Sequence, residues 1–231
     1  RVRGWKRRWA RAVTTRCAAM AAYAHAFSKA ARCGWAMRSN GWNTEYFMRG
    51  HCILSHGFES GPEATKVAAL AEVAERLGWT HERPDYTDLD AKHEVSELGD
   101  VLARLQRLRA LAQAAVARGP LVLAGSSLGA YISARISLEL PTQALFLMAP
   151  PLTMGPLPAL DAPNIPISIL HGWDDELIPA SAVVDWAHAR RARLLLVDDT
   201  HRLTANVRTS ADAFAVLLAG LPVDASAGLP A

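Results

Sequence analysis

The sequence predicts an α/β domain: a mostly parallel sheet of about six strands with helices on both faces. Three observations predict it. From His51 to Ala219, short apolar runs alternate with segments of helical periodicity. The run Leu121-Val122-Leu123-Ala124 leads into Gly125-Ser126-Ser127-Leu128-Gly129, a G-x-S-x-G turn between a strand and a helix. Histidines and aspartates stand just past strand-like runs, at His56, at His171 to Asp175 and at Asp199 to His201.

The elements follow in order. His51 to Ser55 reads as a buried strand ending at His56-Gly57-Phe58. Ser60 and Glu63 have the spacing of a capping box. Val67, Leu70, Val73, Ala74 and Leu77 then recur at helical spacing, and Gly78 closes the helix. Residues 79–84 form a weak strand closed by Pro84. Over 94–117 the residues Val95, Leu98, Val101, Leu102, Leu105, Leu108, Leu111 and Ala115 predict a long amphipathic helix. Residues 120–124 are a strand and 128–138 a helix. Strands are expected at 144–148, 166–170 and 193–197, and helices at 180–190 and 207–219. Between 151 and 165, Pro151, Pro156, Pro158 and Pro163 break the chain, so no helical cap is expected there. The site should be open, walled by Phe58, Met148, Pro150, Pro151 and Trp173.

Composition divides the chain. Residues 1–47 hold ten Lys/Arg and one acid, Glu45, with four of the seven tryptophans; residues 48–231 hold 15 Lys/Arg and 21 Asp/Glu. The first segment reads as disordered, as a targeting segment or as translated upstream sequence, and the domain as 48–221 with a flexible tail at 222–231. The acidic domain repels phosphates, so nucleic-acid binding is not expected. No window has the roughly 20 apolar residues of a membrane span. The three cysteines, Cys17, Cys33 and Cys52, form no disulfide framework, which fits a reducing, cytoplasmic setting.

A serine hydroxyl needs a base within reach, and the base needs a third group to fix its tautomer. Ser127, at the centre of the motif, is the expected nucleophile, with Ser126 its neighbouring decoy. His201 follows the strand 193–197, at the sheet edge where a parallel sheet delivers catalytic groups. The acid is Asp174 or Asp175; the spacing His-Gly-x-x-Asp-x-x-Ile-Pro selects Asp175. The oxyanion hole is expected from the N–H groups of Leu128 and Phe58. His56 and His171 read as residues that shape their loops. His171, Asp174 and Asp175 lack the further ligand spacing a metal site needs, so neither metal nor cofactor is expected.

With these residues placed, the chain resembles the α/β-hydrolase superfamily over about residues 50–220. Four motifs carry the likeness in order: His56-Gly57-Phe58, Gly125-Ser126-Ser127-Leu128-Gly129, His171-Gly172-Trp173-Asp174-Asp175 and Asp199-Thr200-His201. Ser60, Pro62, Lys66 and the run to Tyr131 make it similar to small, lidless bacterial esterases of the YqiA type. The resemblance implies hydrolysis of a small-molecule ester or thioester through an acyl-enzyme. The alternative is a non-catalytic hydrolase fold serving as a binding or scaffolding module, which has no need of all three residues.

Overall fold

The computed structural model describes residues 49–90 and 99–222. The six strands among them are β1 (His51–Ser55), β2 (Thr80–Glu82), β3 (Leu121–Ser126), β4 (Ala144–Met148), β5 (Ile167–Gly172) and β6 (Arg193–Val197). They form one sheet in the order β2-β1-β3-β4-β5-β6, and every neighbouring pair is parallel. The helices are α1 (Thr65–Arg76), α2 (Thr87–Asp90), α3 (Val101–Val116), α4 (Leu128–Ser137), α5 (Ala180–Arg190) and α6 (Val207–Ala219). This is the α/β-hydrolase fold, and no cap domain is present among the described residues.

Strand periodicity sorts the core into two layers. Ile53, Leu121, Leu123, Leu145 and Leu147 face one side, where they meet Leu108 of α3, Ile132 of α4 and Val183 of α5. Cys52, Leu54, Val122, Ala124, Phe146 and Met148 face the other, with Leu70 of α1 and Phe214 of α6. Both faces are covered, which is why the central strands are apolar throughout instead of alternating. Because all strands run the same way, the loops after β1, β3, β5 and β6 emerge along one edge. β1 and β3 are adjacent where the winding reverses, the place where open α/β sheets form their crevice.

Several boundaries differ from expectation. Ser60 does not cap α1, whose N-cap is Ala64 without a side-chain bond. The Gly61 carbonyl instead accepts the Ala64 N–H at 3.0 Å, closing a turn, and Glu63 pairs with Arg83 at 3.0 Å. The helix expected over 94–117 begins at Val101. Gly99 has φ +65°, outside the helical region, and Asp100 caps the helix by accepting the Ala103 N–H at 2.8 Å. Leu102, placed in the apolar stripe, is 62% exposed, whereas Arg104 is fully buried. The segment between β4 and β5 holds only an isolated bridge from Met154 to Leu157. It is tied down by Tyr131 Oη donating to the Pro158 carbonyl and Trp186 Nε1 donating to that of Leu160, at 2.7 and 3.0 Å. Expectations for residues 1–47, for 94–98 and for the tail past Pro222 lie outside the described residues. Among those described, no helix is long and apolar enough to cross a membrane.

Candidate active site

Ser127 stands at the end of β3 with φ 51° and ψ −119°. An L residue held there carries strain of about 1–3 kcal/mol, which persists only if its surroundings over-determine it. They do: the Ser127 N–H donates to the Met148 carbonyl at 2.8 Å, and the Ser127 carbonyl accepts from Ala130 and Tyr131 at 2.8 and 3.1 Å. The flanking glycines allow the close approach. A Cβ on Gly125 would lie 2.2 Å from the Gly129 carbonyl carbon, and one on Gly129 would lie 2.2 Å from the Ser55 carbonyl oxygen. Both obstacles are backbone and cannot swing aside. Gly129→Ala is therefore expected to cost about 3 kcal/mol or more. A thermal melt reads this as a drop of roughly 10 °C for a domain of this size; an unchanged melting temperature would contradict the packing described.

The structure brings Ser127, His201 and Asp175 together, although they come from three loops. His201 Nε2 is 2.9 Å from Ser127 Oγ, and His201 Nδ1 is 2.8 Å from Asp175 Oδ2. The other oxygen of Asp175, Oδ1, accepts the backbone N–H groups of Leu177 and Ile178 at 2.9 and 2.8 Å. The Asp175 side chain is fully buried and that of His201 is 13% exposed. With the carboxylate accepting at Nδ1, the imidazole carries its proton there and presents a bare Nε2 to the serine hydroxyl. Asp174 is exposed, and among the described residues only its backbone N–H is engaged, with the Asp199 carbonyl at 3.1 Å.

The loop carrying His201 has its own organiser. Asp199 accepts from the N–H groups of Thr200 and Ala205 and from Asn206 Nδ2, at 2.8, 2.9 and 3.1 Å. Burial pushes its carboxyl up, but these bonds together hold it below the usual carboxylate range. Lys66, on α1, donates to the Arg202 carbonyl at 2.7 Å, and burial brings its ammonium down to about 8. Glu176 accepts the backbone N–H of His201 at 3.1 Å. The sequence marks Asp199 and Lys66 as motif residues but not these supporting roles; an aspartate that bonds nearby backbone in a turn is the signal Asp199 offers.

The two proposed oxyanion donors lie on either side of the elbow. Leu128 opens α4 directly after the serine. Phe58 follows Gly57, where a Cβ would come within 3.2 Å of the Ser126 carbonyl oxygen and 3.5 Å of Ser127 Cβ. Neither N–H has an acceptor among the described residues. Of the expected walls, Met148 is fully buried in the core, as its place on the covered strand β4 requires. Pro150 and Pro151 are buried too, while Phe58 is half-buried and Trp173 is 58% exposed. No cluster of three His, Cys, Asp or Glu side chains suited to a metal ion occurs among the described residues.

His56 and His171 are buried supports. His56 accepts the Tyr86 N–H at Nε2, at 2.9 Å, so its Nδ1–H donates to the Gly57 carbonyl at 2.8 Å. His171 donates from Nε2 to the Ile178 carbonyl at 3.0 Å. Burial pushes both imidazoles below their ordinary value of 6.5. The unfolded chain therefore binds protons that the folded one refuses. The stability this contributes is full above about pH 6.5 and is lost as pH falls toward the folded values. The melting temperature should drop between pH 7.5 and pH 5.5, and drop less in His171→Gln. An equal drop in that variant would place the acid sensitivity elsewhere.

The fold and the company of these loops define a member of the α/β-hydrolase superfamily. The model of the Uncharacterised protein family (UPF0227) matches residues 51–215. The chain belongs to that family. A structure from Xanthomonas campestris pv. campestris, assigned to the alpha/beta hydrolase superfamily, is 69% identical, with a TM-score of 0.73 over 74% of this chain and 99% of that one. A lidless α/β serine hydrolase from Xanthomonas campestris is 22% identical, with a TM-score of 0.59 over 73% of this chain and 81% of its own. Est1E from Butyrivibrio proteoclasticus is 18% identical, with a TM-score of 0.58 over 74% and 87%. The last two share the fold alone. None of the curated proteins compared with the chain matches it.

Proposed function

We propose that this chain is a serine hydrolase that cleaves small carboxylic esters or thioesters through an acyl-enzyme. The observation that carries the reading is the unbroken hydrogen-bond line from Ser127 Oγ through His201 to Asp175, with distances of 2.9 and 2.8 Å. Ser127 Oγ attacks the substrate carbonyl while His201 Nε2 takes its proton. Asp175 holds the imidazolium so formed. The tetrahedral oxyanion is met by the N–H groups of Phe58 and Leu128, which are oriented before the charge develops. His201 then gives its proton to the leaving alcohol or thiol. A water, deprotonated by the same nitrogen, attacks the acyl carbon; as the bond to Ser127 breaks, His201 returns that proton to Oγ and the acid leaves.

Cys52 is a free, buried thiol whose pKa burial pushes far up, an inert side chain at home in a reducing cytoplasm. The test is a purified chain treated with a fluorophosphonate probe and with p-nitrophenyl esters of graded length. Labelling at Ser127 together with turnover is expected. A folded chain that neither labels nor turns over would leave the binding-module alternative.

A further inference from the structure

The loop after β1 is held by an ion pair that the proposed reaction does not use. Arg104 on α3 is fully buried, and the side chain of Asp90, at the end of α2, is 9% exposed. The guanidinium reaches the carboxylate through Nε to Oδ1 at 3.2 Å and Nη2 to Oδ2 at 2.5 Å, with a further contact from Nη2 to Oδ1. The same guanidinium donates to backbone: Nη1 to the His56 carbonyl at 3.3 Å and Nη2 to the Gly57 carbonyl at 3.4 Å. Asp90 Oδ2 accepts the Glu59 N–H at 3.1 Å. One buried pair therefore grips His56, Gly57 and Glu59, and leaves the N–H of Phe58 without an acceptor among the described residues.

Peptide geometry gives this grip a direction. In a trans peptide the carbonyl of one residue and the N–H of the next point opposite ways. The Gly57 carbonyl is drawn to Arg104 and also accepts His56 Nδ1–H at 2.8 Å. The Phe58 N–H must then face away from Arg104. Turning that peptide over would strip two donors from a buried carbonyl. Stability alone does not call for a buried ion pair here, since apolar replacements of such pairs are often neutral or stabilising.

We infer that the Arg104–Asp90 pair is a positioning device: by holding the His56 and Gly57 carbonyls it aims the Phe58 N–H at the oxyanion. This rests on the reaction proposed above. The test compares wild-type kinetics on p-nitrophenyl acetate with those of the double variant Arg104→Met/Asp90→Leu, which removes the donors without stranding a charge. The kcat should fall about 100-fold or more, as for loss of an oxyanion donor, with KM within about threefold. A folded double variant with unchanged kcat overturns the inference. Arg104→Lys supplies a second reading if the double variant does not fold. Its ammonium keeps the charge but lacks the fork that serves carboxylate and carbonyls together, so kcat should again fall with KM unmoved. A lysine variant equal to wild type overturns the inference. A structure of wild-type chain phosphonylated at Ser127 decides independently of any variant. The phosphonyl oxygen should lie about 2.7–3.1 Å from the Phe58 nitrogen, and an oxygen placed elsewhere overturns the inference. A wild-type chain that neither labels nor turns over removes the proposed reaction and this inference together; turnover without the variant effect removes only the inference.

Discussion

Ser127→Ala is expected to lower kcat for ester hydrolysis by on the order of 10⁶, leaving only what binding and the oxyanion donors supply. The reason is positional. Ser127 Oγ is the hydroxyl 2.9 Å from His201 Nε2. Ser126, one residue earlier, is buried in the last position of β3. Ser126→Ala should keep most of the activity. His201→Ala should be as damaging as the serine change, and the two together no worse than either, because the residues act as a unit. The fold should survive, since the turn is held by backbone bonds from Ser127 that alanine retains. Steady-state rates and thermal melts on the four variants check this. Near-full activity in a purified Ser127→Ala protein would sink the proposed mechanism.

Much of this arrangement is legible in the sequence because each loop leaves a local mark. Gly125 and Gly129 bracket the serine because backbone crowds both, a constraint no other residue type meets. The spacing from His171 to Pro179 singles out Asp175 because its carboxylate must reach two backbone N–H groups two and three residues on. His201 is marked by its place after β6. The alternation of strands and helices is legible because both sheet faces are covered, so the central strands read as continuous apolar runs.

Arg104 shows where that legibility ends. On α3 the buried face is Val101, Arg104, Leu108, Ala112 and Ala115. Those positions are spaced by three or four, so Arg104 lies on the core face. The apolar spacing predicts Leu102 in the stripe, yet Leu102 is exposed and Arg104 is buried. The partner that makes burial tolerable, Asp90, is 14 residues earlier and on a different helix, α2, so the periodicity of α3 does not reveal it. An arginine in register with a core stripe is the signal the sequence offers. Gly99 is a second case: its positive φ ends an apparent helical pattern that apolar spacing alone would have continued.

Asp175→Asn is expected to reduce kcat by about 10⁴, while Asp174→Asn stays within a few fold of wild type. The asymmetry follows from what each carboxylate touches. Oδ1 of Asp175 accepts two backbone N–H groups, so an asparagine there must turn its carbonyl oxygen toward Leu177 and Ile178. Its NH₂ then faces His201 Nδ1, where Asp175 Oδ2 stood at 2.8 Å. An N–H pointed at Nδ1 makes that nitrogen an acceptor and moves the imidazole proton to Nε2. The histidine then presents a hydrogen to Ser127 where a lone pair is required, and the base is lost with every heavy atom in place. Asp174 makes no such demand: it is exposed, and the bond it does make, to the Asp199 carbonyl, comes from backbone that asparagine keeps. Rates at pH 8 with melting temperatures for both variants give the comparison. A larger loss at Asp174 than at Asp175 would mean that the acid of the site is the exposed one and that the buried contact at 2.8 Å is not used in turnover.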